Sequence, residues 1–338
     1  MRIIEADNVN EAYVVGLRML RQFGVKESSR AGDVLVMPMP VTTVYRNPTE
    51  RVLFNPTRDA NPFFHLMEAL WMLAGRNDAT WLDLFVKDFS SRFAEEDGFQ
   101  HGAYGYRWRE HFDLEGGGCP NLPDQLQTVV QMLQANPDDR RVVLQMWDPV
   151  ADLGAAKRDV PCNIALLPRV RNEGSGTAIK KVLDITVFCR SNDAIWGAYG
   201  ANAVHFSVLQ EYLAARVGVC VGRYYQISNN FHAYVPALEK VGTPQIEGSP
   251  YRLGGVRCTS IVTIPEAFDD DLRTFFATEA NLSPYRNEFF TNIAVPMLTA
   301  ARCWRKGNVV EAEKALCDMP AWSDWRVACM AWLGRRRK

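Results

Sequence analysis

The chain has 338 residues, 47% of them apolar and 23% charged, with a formal net charge of −1; it is long enough to bury a sizeable core in one large domain or two, and its composition is that of an ordinary globular protein. A nearly neutral chain exerts no general attraction on a nucleic acid polymer, so any link to nucleic acid is expected through a nucleotide monomer. The amino terminus lacks a signal-peptide pattern, no apolar run has membrane-spanning length, and the eight cysteines form neither a zinc signature nor a disulfide framework, which predicts a cytoplasmic protein with reduced thiols, no membrane partner and no metal.

Residues 1–25 read as a short strand and then a helix, with Tyr13, Leu17 and Leu20 at helical spacing and Gly24 at its end. A polar loop, Ser28 to Asp33, precedes the apolar run Val34 to Met39, and Pro56 with its polar neighbours marks a loop over 55–59. Residues 63–74 predict a helix apolar on most faces and therefore buried. Glu68 sits inside it, where a carboxylate is costly unless it is paired or functional. The glycine-interrupted aromatic run 104–109 reads as a turn lining a pocket. Residues 122–133 suit an amphipathic helix, stopped by Asn136-Pro137-Asp138-Asp139 and followed by a strand over Val142 to Leu144. The β-branched runs 164–170 and 182–189 predict a strand pair around the loop 172–176. A long helix over 203–217 and a strand over 224–227 follow, the latter running into a polar turn, Ser228 to Tyr234. Near the end, 288–304 and 309–333 read as helices split by Lys306-Gly307-Asn308, with Trp322, Trp325 and Trp332 suited to a packed hairpin. The last residues, Arg335 to Lys338, read as a solvated basic tail.

Chemistry concentrates at Asp159-Val160-Pro161-Cys162-Asn163, between Arg140-Arg141 and Arg190-Ser191-Asn192-Asp193. A free thiol is mostly protonated near neutrality, and nearby guanidinium groups favour the reactive thiolate. Arginine also presents a rigid fork of donors that suits phosphate. Cys162 is thus the candidate nucleophile toward a substrate whose phosphate is held by Arg140, Arg141 or Arg190. The alternative for any single cysteine is a small buried hydrophobe, and Cys119, Cys189, Cys220, Cys258, Cys303, Cys317 and Cys329 are assigned to it.

These segments, in this order, together with Met67 to Gly75, Tyr104 to Arg109, Gly200-Ala201-Asn202 and His232-Ala233-Tyr234, resemble the thymidylate synthase family over roughly residues 28 to 240. The resemblance implies an α/β fold, a mixed β-sheet covered by helices, over residues 1–285, with 286–338 a helical carboxy-terminal extension. It implies a homodimer in which Arg140 and Arg141 reach the partner's phosphate site. It further implies that Arg30 closes over the phosphate and that Arg190 and Ser191 bind substrate. It likewise implies that Glu68 organises water and protons at the pyrimidine ring, that Tyr104 helps remove the C5 proton, that His232 and Tyr234 hold the sugar 3′-hydroxyl, and that Asp193 meets the pterin. Asn202 reads the base if one residue is inserted between Trp196 and Gly200. Each of these has a plain structural alternative: a solvent-facing arginine for Arg30, a salt bridge for Glu68, packing for Tyr104 and His232, a solvated loop carboxylate for Asp193.

The implied reaction adds the Cys162 thiolate to C6 of a pyrimidine nucleotide, so that C5 attacks the one-carbon unit of 5,10-methylenetetrahydrofolate. Hydride transfer then yields a methyl group, or water yields a hydroxymethyl group. Several departures favour water. The chain continues into a helical segment where that family ends in a short tail over the folate; Phe89, Ser90 and Phe93 stand where it carries tryptophan; Asn163 replaces the usual histidine; and Cys189 replaces the usual glutamine. The expectation is a nucleotide hydroxymethylase acting on dUMP or dCMP, with a thymidylate synthase and a noncatalytic nucleotide-binding relative as alternatives.

Overall fold

The computed structural model describes residues 1–112, 124–244, 249–277 and 284–337; Cys119, Leu122 and Lys338 lie outside them. In chain order the elements are β1 (Arg2–Ala6), α1 (Val9–Phe23), β2 (Val25–Ser29), β3 (Gly32–Val36), β4 (Val41–Tyr45), α2 (Pro62–Leu73), α3 (Phe89–Phe93), α4 (Tyr104–Arg109), α5 (Gln125–Ala135), β5 (Leu144–Gln145), α6 (Pro149–Asp152), β6 (Asn163–Glu173), β7 (Lys180–Asp193), α7 (Asn202–Val217), β8 (Cys220–Tyr234), α8 (Val235–Val241), α9 (Phe268–Ala277), α10 (Val295–Arg305), α11 (Val309–Cys317) and α12 (Asp324–Gly334). They fall into two compact units.

The first unit comprises Met1–Ala60, Val129–Trp147 and Cys162–Leu253 and carries the sheet, ordered β1-β4-β8-β7-β6-β5 with the β2–β3 hairpin joined to β8 through β3. Parallel pairs β1–β4 and β7–β8 alternate with antiparallel ones, which makes the sheet mixed, as expected. Helix α1 starts where the Asn8 side chain accepts from the Asn10 and Glu11 N–H groups and buries Tyr13, Leu17 and Leu20 completely. Helix α7 buries every residue from Asn202 to Ala214, including Glu211, which is ion-paired with buried Arg51. Such a pair is tolerated inside because each charge offsets the desolvation of the other.

Two expectations in this unit change. Ser28, Ser29 and Asp33 belong to a tight β-hairpin, with Ser29 opposite Gly32 and Arg30-Ala31 at its tip; Lys26–Asp33 and Ser28–Asp33 contacts hold the strands in register. Residues 228–234 are the second half of β8 and not a turn, because β3 and β7 pair with them from either side and supply the ladder that their polar side chains do not advertise.

The second unit comprises Asn61–Thr128, Asp148–Pro161 and Gly254–Lys338 and is helical. Asn61 caps α2 by accepting from the Phe64 N–H (3.2 Å), Pro62 occupies the first turn, and ten of the helix's residues are buried. Trp332 of α12 sits edge-on to Phe63 of α2 at 5.6 Å and to Trp304 at 4.7 Å, with the Arg336 guanidinium 3.6 Å from its ring. Arg305 donates to the Leu84 carbonyl at 2.6 Å.

Residues 104–109, expected as a turn lining a pocket, form the short helix α4. A Cβ at Gly105 would stand 1.9 Å from the Met72 carbonyl oxygen, so this glycine serves close approach of α4 to α2. The predicted helix over 309–333 is two helices, broken before Asp324 where Pro320 cannot donate. Trp325 and Trp332 are buried, whereas Trp322 is 46% exposed and takes no part in the hairpin core. Of the cysteines read as buried hydrophobes, Cys189 and Cys329 are buried but Cys220 and Cys317 are exposed. No helix among the described residues is long and apolar enough to cross a membrane.

Candidate active site

A cavity of about 490 Å³ in the sheet unit is lined by Arg30 and its neighbours on the hairpin, by Arg190 and Ser191 of β7, and by Asn230, His232 and Tyr234 of β8. The two-residue period of a strand explains the last three. Tyr224, Gln226 and Ser228 occupy the same face of β8 and are buried, and that face becomes a cavity wall where the strand continues to 230, 232 and 234. Reading 228–234 as a turn hides this continuity. The cavity thus gathers Arg30, Arg190, Ser191, His232 and Tyr234 from the candidates.

Cys162 is half-buried and immediately precedes β6. Its carbonyl accepts from the Arg190 N–H (2.9 Å), so the two residues are held side by side by the backbone, and the Arg190 guanidinium lies 5.7 Å from the Trp147 ring. Arg140 and Arg141 are exposed and do not line this cavity; Arg141 forms a two-pronged pair with Asp139 (3.0 and 2.7 Å), which holds that carboxyl down at about 2.

Asp193 ends β7 and accepts from the Ile195 and Trp196 N–H groups at 2.7 and 2.6 Å. Its other oxygen, Oδ2, is buried and has no hydrogen-bond partner among the described residues. Burial pushes this carboxyl up, against the lowering effect of those two N–H groups and of His232. The residues after it, Ala194–Ala201, wind with π-helical turns up to a kink at Gly200, whose backbone is not helical (φ −117°, ψ −109°). That winding takes up more residues per turn than an α-helix, and the insertion expected between Trp196 and Gly200 falls inside it.

Asn202 follows directly, 7% exposed, within a buried set of neutral polar groups: Asn163, Cys189, Asn192, Tyr224, Gln226 and Ser228, each 2% exposed or less. Asn163 Nδ2 donates to Asn202 Oδ1 (3.2 Å) and Asn202 Nδ2 to Asn192 Oδ1 (3.0 Å). Sequence reasoning missed Asn163, Asn192 and Gln226 as members of one constellation and read Cys189 as inert. The available signal was that Asn163 and Cys189 both depart from the family pattern, and they face each other across β6 and β7.

In the helical unit, Glu68 on α2 and Tyr104 at the start of α4 are half-buried. Asp159 accepts from Gln100 Nε2 (2.6 Å), and a Cβ at Gly102 would come within 2.6 Å of Asp159 Oδ2. Burial pushes the Asp159 carboxyl up, Gln100 opposes this, and the Glu68 carboxylate adds to the rise. Arg107 grips Asp152 with both terminal nitrogens at 2.8 Å, and His101 Nε2 lies 2.8 Å from the same carboxylate. A second cavity of about 490 Å³ is bordered by Gln100, His101, Tyr106 and His111. Asp159 and Gln100 were not among the candidates, although Asp159 begins the stretch that contains Cys162.

Residues 13–297 match the family model described as thymidylate synthase. The chain is 43% identical to a deoxyuridylate hydroxymethyltransferase of Pseudomonas phage M6, across all of this chain and 95% of that protein. It is 36% identical to a deoxyuridylate hydroxymethyltransferase of Bacillus phage SP01, over 74% of this chain and 64% of the other. To a putative thymidylate synthase of Methanosarcina acetivorans it is 26% identical, over 69% and 89% respectively.

Proposed function

Because this chain belongs to the thymidylate synthase family, we propose that it transfers a one-carbon unit to C5 of dUMP and completes the reaction with water, giving 5-hydroxymethyl-dUMP. One observation carries the nucleotide half of this reading: Arg30, Arg190, Ser191, His232 and Tyr234 converge on one cavity, with Cys162 tied to Arg190 through the backbone. Arginines and a serine suit a phosphate, and a histidine and tyrosine suit a sugar hydroxyl. The water branch is supported by similarity along the whole chain to a protein named for deoxyuridylate hydroxymethylation.

The Cys162 thiolate adds to C6 of the ring, and the electron pair displaced to C5 makes that carbon nucleophilic. Bound 5,10-methylenetetrahydrofolate would supply the one-carbon unit at the oxidation level of formaldehyde. Asp193 fits such a ligand, because its buried Oδ2 is an acceptor suited to a ring N–H of the pterin. After C5 has gained its carbon, Tyr104 assists removal of the C5 proton, whose electron pair would expel the tetrahydrofolate nitrogen from the new carbon and leave an exocyclic methylene, and Glu68 positions the water that adds there and accepts a proton from it. The Cys162 sulfur then leaves C6 and restores the aromatic ring. Asn202 reads the uracil edge.

Arg140 and Arg141 complete the phosphate site of a second copy in a homodimer; their exposure on this chain and their absence from its own cavity wall support that role. Residues 1–285 act as the catalytic domain and 286–338 as a helical extension bracing the helix that carries Glu68, through the Trp332–Phe63 contact. The enzyme works in the cytoplasm, where its thiols stay reduced.

The test is to incubate the protein with dUMP and 5,10-methylenetetrahydrofolate and to weigh the nucleotide formed. The expected product is 5-hydroxymethyl-dUMP with tetrahydrofolate released. A methyl product accompanied by dihydrofolate rejects the water branch, and release of no tritium from C5-labelled nucleotide rejects catalysis.

A further inference from the structure

We propose that Asn163, Asn192 and Gln226 act as positioning residues that force Asn202 to read one pyrimidine edge only, by fixing which end of its amide faces the base; the proposal rests on the reading above that Asn202 contacts the base. An amide by itself does not tell uracil from cytosine. Uracil presents an N3–H donor beside the O4 acceptor, and cytosine presents an N3 acceptor beside an amino donor. Half a turn about the last torsion of asparagine, which is soft, converts an amide complementary to the first edge into one complementary to the second. Discrimination therefore has to come from whatever prevents that half turn.

The buried chain around Asn202 has a consistent direction. The Tyr224 hydroxyl donates to the backbone carbonyl of Asn202 (3.5 Å), a group that only accepts, so its lone pair receives Gln226 Nε2–H (2.8 Å). Gln226 Oε1 then faces Asn192 Nδ2 (3.0 Å), which also donates to Ser228 Oγ (3.0 Å). Asn192 Oδ1 accepts from Asn202 Nδ2 (3.0 Å), and Asn202 Oδ1 accepts from Asn163 Nδ2 (3.2 Å). Asn163 Oδ1 takes the Cys189 S–H (2.7 Å). Burial pushes that thiol well up, so it keeps the proton that it donates.

Turning Asn202 alone would set N–H against N–H at Asn163 and oxygen against oxygen at Asn192. Both clashes would lie where water cannot relieve them. Each amide end of Asn202 uses one of its two hydrogen-bonding capacities in the chain, leaving a lone pair and an N–H for the base. A free-standing asparagine is ambidextrous, and this one is not.

Two substitutions of equal size and charge, on either side of Asn202, test the idea. Asn192→Asp keeps an acceptor facing Asn202 Nδ2 and should preserve the amide's direction. Asn163→Asp replaces the donor facing Asn202 Oδ1 with an acceptor and should turn the amide. The readout is kcat/KM for tritium release from C5-labelled dUMP and dCMP. The expected result is a dUMP preference retained by Asn192→Asp and reduced by at least about tenfold in Asn163→Asp, the scale of one misplaced hydrogen bond. Equal ratios in both variants, whether moved or unmoved, overturn the proposal.

Should Asn163→Asp fail to fold, Tyr224→Phe removes the carbonyl anchor with little change of shape. Its preference for dUMP should fall, and an unmoved ratio overturns the proposal as well. A wild type that releases no tritium from either nucleotide defeats the parent reading and the proposal with it, whereas a discriminating wild type with unmoved variants defeats the proposal alone.

Discussion

The cluster around Asn202 in the sheet unit and the cluster around Asp152 in the helical unit are built from polar groups of opposite character. Around Asn202 the sheet unit buries amides, a hydroxyl and a thiol, all neutral and joined head to tail. Around Asp159 and Asp152 the helical unit buries carboxylates, a guanidinium and an imidazole. Neutral amides hold a direction and do not ionise near neutral pH, which suits recognition. Carboxylates in a desolvated setting have movable proton affinities, which suits proton transfer.

Cys162→Ala should break the chemistry and spare the recognition: tritium release falls at least about 10³-fold, while calorimetry still detects dUMP binding. Release near the wild-type rate would sink the covalent scheme. Glu68→Gln sharpens the other side. Its kcat should drop about 10²-fold, as for loss of a general base, with KM for dUMP nearly unchanged; a loss confined to KM would mean that Glu68 belongs to recognition.

The smallest effect concerns Asp159 and stability. Burial raises its carboxyl above the ordinary 3.8, so over a window beginning there the folded chain keeps a proton that the unfolded chain has lost. Stability linked to this group is therefore fully present below the ordinary value and declines as pH rises toward the raised one. Asp159→Asn abolishes that decline, and its Tm relative to wild type should climb by a few degrees across the window. A Tm difference independent of pH would show that the carboxyl is not held up by burial.

Much of this molecule is legible in one dimension. Helix α1 follows from Tyr13, Leu17 and Leu20, the β6–β7 pair follows from its β-branched runs, and the order of motifs around Cys162 points to the family. The misreadings share a cause. Ser228, Asn229 and Asn230 have the chemistry of a turn but lie within β8, where β4 pairs with Ser228 and β7 with Ser228 and Asn230. Gly105 looks like a break and instead permits helix contact. Trp322 has the right residue type for a core but falls in the exposed turn before α12. In each case long-range packing overrode a local preference.

The amino-acid order by itself determined which side chains are present: a thiol, a helix-borne carboxylate, arginines suited to phosphate, and several asparagines. Only the tertiary structure decided how they are oriented and grouped, because a hydrogen bond's direction depends on neighbours remote in the chain. Cys189 and Asn163 stand 26 residues apart and meet through strand register. No pattern along the chain contains the direction in which Asn202 points its amide.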